Sequence, residues 1–209
     1  RSADAAKAKT VSIGGLRRAG AGSVLYLWDY PLFGSGLFDG TKSKLLVNDV
    51  LENQACGIAR QPIVIFNEQG NRCYFTTYKD GEIRAFDNYK TTWDPANFTA
   101  DDVVWIEQQA VAVPKNTDVH VGALKLAGAS STLTVNAGAT LHVGNGIDPA
   151  IVFVDKPDIV GAAGFIDFGT SEGVFCGISE NTVYQPVIKG SAGVTFTAPS
   201  AFSAEFGFG

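Results

Sequence analysis

His120 and His142 are the only histidines of the chain, and they occupy echoing fragments, VHVG at 119–122 and LHVG at 141–144. The pattern returns after 22 residues. If strands place the two rings one above the other, the ~4.8 Å spacing of stacked strands lets them touch and share a metal ion. A stable metal site needs three or four ligands, and the next position in phase, Gly164, supplies none. The favoured reading is structural: two outward imidazoles, one coil apart, with the flanking Val and Leu residues facing in. No metal and no cofactor is implied.

Carboxylates offer a second chemistry. Asp155, Asp158 and Asp167 can gather on one outer face, there to act as an acid/base pair or to hold Ca²⁺. A β-helix polysaccharide lyase or hydrolase would use such a set. A lyase also wants a cation to neutralise a uronate and abstract its proton, yet residues 119–209 hold no Arg and only Lys125, Lys156 and Lys189. HExxH and P-loop motifs are missing, as is a GxGxxG opening a helix. The expectation is a protein that is not an enzyme.

Aromatic side chains can stack on sugars. Trp93, in the loop TTWDP, and Tyr184 are the candidates for glycan contact, and capping of a core is the competing role for Trp93. Asn97-Phe98-Thr99 matches a glycosylation sequon, which matters only in a eukaryotic secretory setting. Cys56, Cys73 and Cys176 have no metal-binding spacing; either Cys56 and Cys73 form a bridge or all three are buried thiols.

These residues must be held by strands. The chain has 209 residues, with 24 Gly, 14 Phe and no Met, a composition that favours strands and tight turns. SVLYLWDY at 23–30 is apolar on both faces and reads as a central strand. LLVNDVLENQ at 45–54 reads as either a helical turn or a strand. PIVIF (62–66), CYFTTY (73–78) and EIRAF (82–86) form a meander, with a hairpin at Asp80-Gly81. VVWIE (103–107) and AVAVP (110–114) follow.

From 119 onward short apolar pairs recur: Val119/Val121, Leu124/Leu126, Leu133/Val135, Leu141/Val143, Ile151/Phe153, Val194/Phe196 and Phe206/Phe208. Gly, Ala, Ser, Asn and Asp separate them. Three short strands with their turns fill the 22-residue return, the signature of a parallel β-helix, although two strands per coil also fit. The fold expected is all-β: a basic arm at 1–20, a β-sheet region at 21–115 and a short parallel β-helix at 116–209.

The stretch TTWDPANFTADDVVWIEQQAVAVPKNTDVHVGALKLAGASSTLTVNAGATLHVGNG (91–146) resembles the opening coils of bacterial and phage surface β-helix proteins and of G8-type modules. The resemblance covers about a quarter of the chain and brings no catalytic residue with it.

Charge completes the reading. The formal net charge is −5, which argues against nucleic acid as a partner, and no apolar run is long enough for a membrane helix. Residues 1–20 carry Arg1, Lys7, Lys9, Arg17 and Arg18 against Asp4, whereas residues 119–209 are net acidic. A basic arm of this kind is attracted to an acidic body, its own or a neighbour's, and its five cations are the expected assembly contacts. The function expected is a structural subunit of an extracellular, cell-surface or virion assembly, self-associating through arm and solenoid. A glycan-binding adhesin module and a β-helix polysaccharide lyase or hydrolase are the alternatives.

Overall fold

The computed structural model describes residues 10–29, 44–67, 72–128, 130–155, 158–161, 163–177, 182–197 and 206–208. The described residues are strands and turns, with no helix among them and hence none able to cross a membrane. The chain divides into two compact units, Arg1–Asp87 and Asn88–Gly209.

The first unit is a six-stranded, half-barrel sheet. Its strands are β1 (Thr10–Ile13), β2 (Leu25–Asp29), β3 (Lys44–Val47), β4 (Ile63–Asn67), β5 (Arg72–Lys79) and β6 (Glu82–Ala85), in the order β1, β3, β6, β5, β4, β2. The meander from β4 to β6 is antiparallel. Its hairpin turns at Asp80 (φ 54°) and Gly81 (φ 80°). Two successive positive φ values match the right-handed twist of the flanking strands, which is why Asp-Gly occupies the corner.

The structure departs from the sequence expectation at β2, decides an open alternative at 45–54 and places part of the basic arm. Among the described residues, Leu25–Asp29 of SVLYLWDY is an edge strand, β2, paired in parallel with β4, and not a central one. LLVNDVLENQ is strand only through Val47. Residues 10–13 of the basic arm are β1, paired with β3, and Ile13 and Leu16 pack on the core formed by Val47, Leu51, Ala59, Ile63 and Ile83. The second half of that arm is thus built into the sheet.

The second unit is a parallel β-solenoid of about four turns. Its first three coils are β7 (Val103–Glu107), β8 (Ala110–Val113) and β9 (Asp118–Val121); then β10 (Ala123–Ala127), β11 (Thr132–Val135) and β12 (Thr140–Val143); then β13 (Ala150–Asp155), β14 (Asp158–Val160) and β15 (Phe165–Asp167). After these come β16 (Gly173–Gly177), β17 (Thr182–Tyr184) and β18 (Val187–Lys189), and finally β19 (Val194–Thr197) and β20 (Phe206–Phe208). Every third strand pairs in parallel, so each coil contributes one strand to each of three walls: β7-β10-β13-β16-β19, β8-β11-β14-β17-β20 and β9-β12-β15-β18. Three strands per coil is therefore the answer to the open count. The coils begin at β7, earlier in the chain than position 116.

Alternation selects the interior. Val104, Leu124, Val152 and Phe175 align in the first wall, Leu133 and Ile159 in the second, and Val119, Leu141 and Ile166 in the third, all buried. Each such aliphatic side chain withdrawn from water contributes roughly 1.5–3 kcal/mol before chain entropy is subtracted. Farther along the axis the filling turns aromatic: Phe168 meets Phe175 edge-on at 5.4 Å, and Phe175 stacks on Phe196 at 5.1 Å.

In β13 the inward pair is Val152/Val154, and Ile151 and Phe153 face outward, one residue out of step with the pair read from the sequence. The outer side of this wall is itself buried, at Ala123, Lys125, Phe153 and Cys176, so polarity gives no clue to its phase.

Corners between walls need special backbone. A Cβ on Gly161 (φ 109°) would stand 2.0 Å from the Val135 carbonyl oxygen of the coil before it. Only glycine lets the chain pass this closely.

Candidate functional site

The third wall carries an outward ladder of ionisable side chains, and it begins at the two histidines. His120 pairs with His142 in strict register, flanked by buried Val119, Val121, Leu141 and Val143. The imidazoles are stacked, with centroids 4.3 Å apart and planes 8° from parallel. Beyond them, His142 pairs with Asp167, and Asp167 with Lys189.

Here the structure corrects the phase argument. The residue below His142 is Asp167, not Gly164, because this turn of the coil takes 25 residues where the one before it takes 22. The added residues lie at corners and leave the ladders intact.

The geometry of His142 is specific. Its Nδ1 is 3.5 Å from Asp167 Oδ2, and its Nε2 is 3.8 Å from Asp118 Oδ1. These separations are too long for hydrogen bonds but within ion-pair range. Asp167 is held in turn by the Gly169 backbone N–H, which donates to its Oδ1 at 2.8 Å. Below, the Lys189 ammonium sits 3.3 Å from the centre of the Phe165 ring, a cation–π contact.

Both nitrogens of His142 face carboxylates and one ring face lies on His120. That arrangement orients the ring between the two carboxylates. Near-parallel imidazole planes also send their nitrogen lone pairs side by side, whereas metal ligands must converge. Among the described residues no group of three or more His, Cys, Asp or Glu is placed to hold a metal ion.

The carboxylates proposed as a catalytic set do not share a face. Asp155 ends β13, Asp158 begins β14 and Asp167 ends β15, three strands in three different walls. The side chains of Asp155 and Asp158 lie outside the described residues.

Trp93 is half-buried and closes the first coil. Its indole N–H donates to the Ala112 carbonyl of β8 at 2.9 Å, and its ring meets Phe98 edge-on at 5.4 Å. Both rings pack on the solenoid core. Lys90 bridges β7, its N–H donating to Val103 O at 2.8 Å and its C=O accepting from Trp105 N–H at 2.9 Å. These contacts cover part of the rim of the first coil, at β7 and β8, where open strand edges would otherwise recruit another chain. Tyr184 pairs with Ile159, a core position of the second wall; its side chain lies outside the described residues.

Of the expected assembly contacts, Arg1, Lys7 and Lys9 fall outside the described residues. Arg17 is exposed, and Arg18 donates from Nε to the Ser23 carbonyl at 3.0 Å, which ties it to its own unit. Cys56, Cys73 and Cys176 are all buried thiols, so the Cys56–Cys73 bridge is not formed.

Sequence reading missed the outer column of the first wall. Lys125 is 1% exposed, with Trp105 and Phe153 as its ladder neighbours. Its ammonium lies 3.7 Å from the centre of the Trp105 ring and 5.8 Å from that of Tyr89. The LKL alternation hinted at an outward lysine and said nothing of its burial.

No family model, curated protein or solved structure matches the chain.

Proposed function

We propose that this protein is a non-enzymatic structural subunit of an extracellular, cell-surface or virion assembly, self-associating through its N-terminal arm and its solenoid. One observation carries the reading: the two ends of the solenoid are finished differently. Lys90 and Trp93 cover the first coil at β7 and β8, whereas β18, β19 and β20 are the last strands of their walls among the described residues, with Val187 48% and Val194 37% exposed. A terminal edge with exposed apolar residues favours docking onto another strand or face.

The structure refines the test. Deleting residues 1–20 would remove β1 and the packing of Ile13 and Leu16, so loss of assembly could follow from loss of fold. Deleting residues 1–9 avoids this. Light scattering of the intact chain, the 1–9 deletion and the double variant Val187→Lys/Val194→Lys is expected to show a large species for the first and small ones for the others. An intact chain that runs as a monomer at high protein concentration would remove the proposal.

A second reading, glycan recognition by an adhesin module, is supported by an open cleft beside Trp93. No comparable observation among the described residues supports the lyase or hydrolase reading.

A further inference from the structure

The segment that closes the first coil also forms a cleft of about 360 Å³. The half-buried rings of Tyr89 and Phe98 line it, and Thr91, Thr92, Asp94 and Asn97 supply its polar groups. The geometry points to this cleft as a binding site for a neutral saccharide unit. The inference rests on the second reading above and is independent of self-assembly.

Both aromatic rings are fixed from behind. Tyr89 meets Trp105 edge-on at 5.1 Å, and Phe98 meets Trp93 edge-on at 5.4 Å. Trp93 is pinned in turn by its bond to Ala112 O. Rings held this way present a surface to the C–H face of a pyranose at little entropic cost. Trp93, the contact expected from the sequence, thus becomes the residue that positions the contact.

The polar groups are also fixed. Asp94-Pro95-Ala96-Asn97 is a tight turn in which Asn97 N–H donates to Asp94 O at 3.1 Å. The Asn97 side-chain Nδ2 donates to Asp94 Oδ2 at 2.8 Å. A carboxylate and an amide locked at this spacing offer acceptors and a donor together. Vicinal sugar hydroxyls, each both donor and acceptor, match that pattern, and the Thr91 and Thr92 hydroxyls extend it.

Charge selects against anions. Lys90, also in the lining, stands 3.7 Å from Asp102 Oδ1, and Asp94 is a further lining residue, so a uronate or phosphate meets no surplus of positive charge. The volume accommodates one or two sugar rings, at the small end of ligand clefts.

Saturation-transfer NMR and tryptophan fluorescence with methyl glucoside, methyl mannoside, methyl galactoside and N-acetylglucosamine, each up to about 10 mM, test the site at the weak affinities expected of one sugar ring. At least one sugar is expected to bind and to perturb the fluorescence of Trp93 through Phe98. Thr92→Val, which keeps side-chain shape and removes one hydroxyl, and Asn97→Ala are each expected to weaken binding about tenfold with an unchanged circular dichroism spectrum. The proposal is overturned if none of the four sugars binds, or if binding survives Thr92→Val and Asn97→Ala undiminished, in which case the Asp94–Asn97 pair closes a turn and does no more. Neither result bears on assembly, which light scattering measures separately.

Discussion

The imidazoles of His120 and His142 lie face to face, 4.3 Å between centroids and 8° from parallel, on adjacent coils of a parallel solenoid. The stack is partly exposed, so His142→Ala is expected to lower unfolding free energy by about 1 kcal/mol or less, near the low end for an aromatic pair. A double-mutant cycle with His120→Ala should return a coupling of about 0.5 kcal/mol. Chemical denaturation measures both, and strict additivity would mean the rings do not interact in solution. Because the lone pairs do not converge, adding Zn²⁺ should leave the unfolding midpoint in place; a clear rise would show that a ring turns to share an ion.

Gly161 and Gly169 separate two kinds of glycine requirement. Both have positive φ, 109° and 57°, but a Cβ on Gly161 would strike the Val135 carbonyl oxygen, whereas Gly169 has open space within 4 Å. Gly169→Ala should cost about 1–2 kcal/mol, the penalty of the left-handed conformation alone. Gly161→Ala should cost more than about 3 kcal/mol, because two coils must part. Equal losses in thermal unfolding would contradict the stacked corner.

Trp93→Ala removes a ring from the first coil and exposes core. A loss of about 2–4 kcal/mol is expected, together with rising turbidity on warming as β7 and β8 become accessible. Trp93→Phe keeps an aromatic ring but loses the bond to Ala112 O and part of the indole's packing, so about 1–2 kcal/mol is expected, less than for alanine. If the alanine variant neither loses stability nor aggregates, the loop is not a cap.

Thiol counting checks the cysteines. The native protein should react slowly with a soluble disulfide reagent, because Cys56, Cys73 and Cys176 are all buried. In denaturant without reductant all of them should react. Recovery of a single thiol there would indicate a Cys56–Cys73 bridge.

How much of this could be read from the amino acids alone differs from element to element. Period-two alternation identified the inward residues of β9, β11 and β12 because the outer positions there, such as His120, Thr132 and His142, are polar. In β13 both sides are apolar, and the phase was lost at Ile151 and Phe153. The hairpin at Asp80-Gly81 was legible because a primed turn has a residue signature, whereas the edge position of β2 was not, since pairing partners leave no local trace. The His120–His142 contact followed from one exact repeat. The meeting of His142 with Asp167 did not, because corner length can vary without altering strand grammar, and extrapolation by a constant period landed on Gly164. Side-chain commitments such as Trp93 to Ala112 O depend on folded distances and were beyond reach of spacing.

The outer positions Ala123, Lys125, Phe153 and Cys176 are as inaccessible as the residues inside the coils. A lateral partner reads side chains that reach water, so substitutions at these four positions are expected to register as damage to folding first.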